Sequence, residues 1–165
     1  MQENKLSSDG SLSKTIIDFF MSISIFDKIN EEELKVIAKH MNIVELNAGE
    51  ILFAESDTGY YMCFIVDGIL DVIKKSETGG KVVLETLHRG QSIGEISVID
   101  NLPRSATIQA NTKSKLFILS ESAFDLILEK HAKIGVKLLK GISRLLCFNL
   151  RKTSSRLVDY LLPID

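Results

Sequence analysis

The sequence is poor in the residues that metal, disulfide and nucleophilic chemistry require. It has two cysteines, Cys63 and Cys147, each in an apolar segment, and no Cys-x-x-Cys. They are read as reduced, buried thiols of a cytosolic protein, not as a disulfide framework. The three histidines, His40, His88 and His131, are isolated, so no zinc spacing exists. A phosphodiesterase would need clustered His and Asp to activate water. A cupin-type enzyme would need several histidines on barrel strands, and only His88 falls on an expected strand. No serine or cysteine has a base motif close by in the sequence. No catalytic residue, no metal, no cofactor and no enzymatic activity are expected.

Excess charge is absent too. The formal net charge is −2, which argues against a nucleic-acid binder relying on bulk charge. The longest apolar stretch, 16–26, contains Asp18 and is too short to span a bilayer. The N-terminus (Gln2, Glu3, Asn4, Lys5) lacks the basic start and apolar core of a secretory signal. No membrane association and a cytoplasmic location are expected. No internal repeat or low-complexity tract appears.

What is present fits one domain. The 165 residues are 45% apolar, enough to build a core of ordinary size. Residues 1–12, rich in Ser, Asn and Gly, read as a flexible tail. A domain over 13–152 follows, with helices over 13–41, a barrel over 42–120 and C-terminal helices over 121–152. Residues 153–165 read as a second tail. In the first helical segment Ile16, Ile17, Phe19, Phe20, Ile23 and Phe26 make one helix with a heavy apolar face. Asn30 then caps a second helix whose first turn holds Glu31, Glu32 and Glu33.

From Asn42 the apolar period changes to two. Short strands are expected at 43–46, 50–54, 61–66, 69–74, 81–88, 107–111 and 115–120, separated by Gly-, Asn- and Asp-containing turns. The fold class is mainly β with flanking helices, a double-stranded β-helix or jelly-roll barrel. After Ser120 the pattern is helical again. Leu138, Ile142, Leu145 and Asn149 approximate a heptad seam, distinct from a stripe that covers the barrel. Lys133, Lys137, Lys140, Arg144, Arg151, Lys152 and Arg156 read as the solvated face of this helix, and no direct nucleic-acid binding is expected.

The chemistry concentrates at 94–110. Gly94 allows a tight turn after which the amides of Glu95, Ile96 and Ser97 can point into one concavity, a ready anion site. Pro103 delivers Arg104, whose planar fork suits phosphate, and Ser105 can add a hydroxyl donor. A carboxylate beside an anion is repelled unless it accepts from a neutral hydroxyl, so Glu95 points to a sugar. A 3′,5′-cyclic nucleotide meets that demand, with one negative charge on its phosphate and a free ribose 2′-hydroxyl.

This stretch resembles the phosphate-binding cassette of cyclic-nucleotide-binding domains, as in protein kinase A regulatory subunits and bacterial catabolite activator proteins. The family's Phe-Gly-Glu-Leu-Ala-Leu, spacer, Pro-Arg-(Ala/Ser/Thr)-Ala-(Thr/Ser) is met by Gly94, Glu95, Ile96, Val98, Pro103, Arg104, Ser105, Ala106 and Thr107. Ile93 stands where Phe is usual and Ser97 where Ala is usual. The run Glu55-Ser56-Asp57-Thr58-Gly59, then Gly68 and Gly90, fall where the family places turns, with Ser56 replacing a glycine in a turn expected not to touch the pocket.

The resemblance covers roughly 25–150. It implies N-terminal helices, a short cassette helix and a long C-terminal helix around the barrel. It implies a ligand, cyclic AMP ahead of cyclic GMP, held by Gly94, Glu95, Ile96, Ser97, Arg104, Ser105 and Ala106, with Val72, Leu87 and Asn149 near sugar and base. It further implies a homodimer through helix 134–150 and output through that helix to an unknown effector protein. Only 13 residues follow Lys152, too few for a helix-turn-helix, so a stand-alone sensor domain is expected. The alternative is an interaction or dimerisation module with a structural or vestigial pocket.

Overall fold

A computed structural model describes residues 3–5, 14–76 and 79–161. Among the described residues there are nine strands: β1 (Glu3–Lys5), β2 (Met41–Leu46), β3 (Ile51–Phe53), β4 (Tyr61–Asp67), β5 (Leu70–Lys75), β6 (Lys81–Leu87), β7 (Ser92–Ile93), β8 (Thr107–Ala110) and β9 (Ser114–Ser120). They make two antiparallel sheets, a five-stranded one ordered β1-β2-β9-β4-β7 and a four-stranded one ordered β3-β8-β5-β6. Between the sheets lie Val44, Leu46, Phe53, Cys63, Ile65, Leu70, Leu116 and Ile118.

The outer face of the five-stranded sheet is buried as well. Met62 and Phe64 of β4 and Phe117 and Leu119 of β9 point away from the barrel into a second core supplied by the helices. Alternate residues of β4 therefore serve two cores, which explains its continuous apolar run. Phe20 stacks on Phe117 at 4.9 Å, and Phe26 lies 5.2 Å from Phe64.

The helices are α1 (Lys14–Met21), α2 (Glu31–Ala38), α3 (Glu95–Asp100), α4 (Glu121–Lys130) and α5 (Ala132–Leu161), with a 3-10 turn at Ser24–Phe26. Asn30 caps α2 as expected, and the Glu33 side chain makes the cap reciprocal. Ser120 caps α4 by accepting from the Ala123 amide.

Four expectations change. The single N-terminal helix breaks after Met21, where the Ser22 hydroxyl donates to the Phe19 carbonyl at 2.6 Å and the chain tightens into the 3-10 turn. Part of the expected N-terminal tail, Glu3–Lys5, pairs with the open edge of β2; the rest of 1–12 lies outside the described residues. The expected C-terminal tail is helix as far as Leu161, since nothing in 153–161 stops it; 162–165 lie outside the described residues. The two-residue β7 gives too short a period to read from sequence.

The expected dimer seam also turns inward. Leu138 and Ile142 are fully buried in the chain's own helical core, and Leu145 packs against it. A Cβ on Gly141 would sit 2.0 Å from the Ile25 carbonyl oxygen, so glycine lets α5 lie directly on the 3-10 turn.

Candidate functional site

The close of β7, the short helix α3 and the entry to β8 line one pocket. Gly94 sits there with φ +83°, a left-handed conformation that L side chains resist. It precedes α3 and, having no side chain, caps none of the first-turn amides. A Cβ at Gly94 would meet Arg104 Nη1 at 2.7 Å and the Tyr61 carbonyl at 3.0 Å.

Arg104 is only 3% exposed. Its Nη1 donates to the Gly94 carbonyl (3.0 Å) and its Nη2 to the Tyr61 carbonyl (2.7 Å). The guanidinium lies over the rings of Phe53 (4.0 Å) and Tyr61 (4.6 Å), each a cation–π contact. Its backbone is fixed by the turn before β4: the Ser56 amide donates to the Arg104 carbonyl (2.9 Å) and the Arg104 amide to the Asp57 carbonyl (2.8 Å). The turn thus anchors the Arg104 backbone, and none of its residues lines the pocket. Ser56 keeps the glycine-like geometry with φ +73°, at a cost of about 1–2 kcal/mol for an L residue. Gly59 is needed for closeness, because a Cβ there would lie 2.3 Å from Ser97 Cβ and 3.1 Å from Arg104 Cδ.

Glu95 is 5% exposed, and burial raises its carboxyl above the ordinary value, opposed by a hydrogen bond to its own backbone and by the charge of Arg104. Two buried polar atoms here have no hydrogen-bond partner, Glu95 Oε2 and Arg104 Nε. One is an acceptor, the other a donor, and both residues line one pocket of about 210 Å³. Orphans of this kind are costly in a core but are what a polar ligand would complete.

Every site residue expected from sequence lines this pocket: Gly94, Glu95, Ile96, Ser97, Arg104, Ser105 and Ala106, together with Val72, Leu87 and Asn149. Ser97 is buried, whereas Ile96 is half exposed. The Ser105 carbonyl accepts from Lys74 Nζ (2.7 Å), which ties the cassette to β5, and Lys74 also pairs with Glu55.

Sequence reasoning missed Phe53 and Tyr61 beside Arg104, Glu85 in the pocket lining, and Lys152 paired with Glu85. Glu85 is two residues from Leu87 on the same strand face, and Lys152 is three from Asn149 on the same helix face. Periodicity could have found both. Lys152 Nζ and Glu85 Oε1 form an ion pair at 2.5 Å that joins α5 to β6 beside the pocket. Among the described residues, no three or more His, Cys, Asp or Glu side chains are grouped so as to hold a metal ion. No described helix is long and apolar enough to cross a membrane.

Residues 43–131 match the model of the cyclic nucleotide-binding domain family. The chain is 30% identical over 127 residues to a cAMP-dependent protein kinase regulatory subunit of Mycosarcoma maydis, covering 70% of this chain and 24% of that subunit. It thus spans about a quarter of the curated regulatory subunits it matches. Among solved structures, a cyclic nucleotide-binding domain from Methylobacillus flagellatus superposes with a TM-score of 0.81 at 28% identity, covering 90% of this chain and 84% of that one. The catabolite activator protein of Thermus thermophilus shares the fold, with a TM-score of 0.75 at 21% identity over 84% of this chain and 62% of that one.

Proposed function

The chain belongs to the cyclic nucleotide-binding domain family, and from that we propose that its pocket takes a 3′,5′-cyclic mononucleotide, cyclic AMP in preference to cyclic GMP. The observation that carries this is the pair of complementary orphans, Glu95 Oε2 and Arg104 Nε, lining the same pocket. A cyclic phosphate takes the free donor of Arg104 with first-turn amides of α3 beyond Glu95 and the hydroxyl of Ser105. The ribose 2′-hydroxyl donates to Glu95. Val72 and Leu87 face sugar and base, and Asn149 approaches from α5. The preference for adenine is supported by the Mycosarcoma maydis relative, whose name specifies cAMP.

The domain is a regulatory, not a catalytic, module. Its output passes to an effector protein through α5, whose Asn149 lines the pocket and whose Lys152 grips β6. Ligand shifts that helix only by its difference in affinity for two helix positions. A cytoplasmic setting is supported by two free thiols, Cys63 and Cys147.

Calorimetric titration of cyclic AMP, then cyclic GMP, into protein unfolded and refolded to remove carried ligand tests the proposal. A saturable signal at one ligand per chain is expected, stronger for cyclic AMP. Leucine at Arg104 would orphan the carbonyls of Gly94 and Tyr61, so Arg104→Lys is the informative variant. It should weaken binding by roughly 30-fold, the equivalent of about 2 kcal/mol for one lost charge-assisted hydrogen bond. No heat from folded protein at millimolar ligand would leave the barrel as a structural support for α5.

A further inference from the structure

The formal charge of −2 conceals a separation within the chain. α5 carries seven lysines and arginines against one carboxylate, Asp159, a net of +6, which leaves −8 on the remainder. Two of the seven are engaged within the chain, Lys137 with Glu33 and Lys152 with Glu85. Lys133, Lys140, Arg144, Arg151 and Arg156 are exposed and form no ion pair with a described residue. At about 100° per residue, the first four of these make a ridge about 40° wide along the helix. Beside it runs an exposed row of Val136, Leu139, Leu150, Leu157 and Leu161, and both lie away from the buried Leu138 and Ile142. We propose that this side of α5 lies on an anionic lipid bilayer, in the plane of the headgroups.

Three features favour a bilayer over a protein groove. Along the ridge α5 is open on one side only, since Leu138 and Ile142 are built into the helical core and Lys152 is fastened to β6. A groove that encloses a helix cannot take it, whereas a flat surface can. The serines that interrupt the row are already satisfied: Ser143 Oγ donates to the Leu139 carbonyl and Ser154 Oγ to the Leu150 carbonyl, each at 2.9 Å. Burial against lipid therefore strands neither hydroxyl. Every residue from 153 to 161 is exposed, and there Leu157, Val158, Tyr160 and Leu161 spread over about 160° of the helix. A tip apolar over so wide an arc suits a medium that closes round it. The ring of Tyr160, 89% exposed, has the amphipathic form favoured at headgroup level.

The charge separation sets the orientation. An anionic surface attracts the +6 helix and repels the −8 remainder, so the ridge meets lipid and the barrel faces water. The long stems of the lysines and arginines lie beside the apolar row while their charged ends reach headgroup phosphates. Neither force suffices alone, because the row is interrupted and surface charge is screened by salt. Binding therefore needs both anionic lipid and the exposed leucines. No described helix is long and apolar enough to cross a membrane, and α5 rests along the surface instead. This inference does not depend on the ligand of the pocket, which neither the ridge nor the row lines.

Co-sedimentation of the full chain with lipid vesicles tests the proposal. The chain should pellet with an equal mixture of phosphatidylcholine and phosphatidylglycerol, and not with phosphatidylcholine alone. It should be released at about 1 M salt, where the screening length falls to about 3 Å. Arg144→Gln with Arg151→Gln should lower the partition coefficient roughly thirtyfold, two surface charges being removed. Leu150→Gln with Leu157→Gln, which keeps every cation, should lower it at least about tenfold. All four positions are exposed, so both variants should keep the circular dichroism of the parent. Failure to pellet with the anionic vesicles, equal binding to both vesicle types, or a partition coefficient indifferent to either pair would each overturn the proposal. Binding to polyglutamate without binding to vesicles would overturn it too, assigning the ridge to an acidic protein.

Discussion

Glu95 and Arg104 are held in opposite ways, and that difference sets what each substitution should do. Arg104 has four neighbours that hold it, two carbonyls and two rings, and is stabilised by the fold. Glu95 is pushed towards its neutral form by burial, so the ligand-free domain pays for keeping it. Because its folded pKa lies above the ordinary 4.5, its contribution is fully present below that value and is lost as pH rises through the raised one. Glu33 and Glu55, held low by Lys137 and Lys74, slope the other way, so the comparison must be with a variant. Glu95→Gln should melt at a higher temperature than the parent, by a margin that widens from acid to neutral pH, while binding cyclic AMP more weakly. A margin independent of pH would contradict a buried, costly carboxylate. Both residues were legible in the sequence because their chemistry lies within one short run. Phe53 and Tyr61 were not, because their contacts with Arg104 form only when distant strands close the barrel.

At the scale of elements, α5 joins the pocket to the surface. The Lys152–Glu85 pair fastens it to β6, and both side chains are about a third exposed, 38% and 34%. Such a pair is worth under about 1 kcal/mol. Lys152→Ala should therefore weaken cyclic AMP binding by no more than about fivefold, yet speed amide exchange in α5 beyond Asn149. Unchanged exchange there would show that the pair does not hold the helix. The sequence revealed that α5 has more than one apolar stripe but not which faces inward. Both have helical spacing, and only the packing of Leu138 and Ile142 against the first helices decides between them. The same limit hid the break after Met21, since an apolar run keeps its helical period through a turn.

For the whole molecule, strand positions were legible because turn residues punctuate them at regular intervals, and the barrel follows from their number and alternation. The double burial of the five-stranded sheet was not, because a continuous apolar run states burial without naming the two cores. That arrangement matters for function. Helical core and barrel core share β4, and the carbonyl of Tyr61 at its start accepts from Arg104, which lines the pocket. A ligand that completes Arg104 and Glu95 thus acts on the framework from which α5 is hung. The most direct test is to follow the Arg104 side-chain Nε–H by proton–nitrogen NMR while cyclic AMP is added. The expected result is a downfield shift with slowed solvent exchange, saturating at one ligand per chain. An Nε–H signal that does not move while ligand binds would contradict the assignment of this pocket's missing partners to the nucleotide.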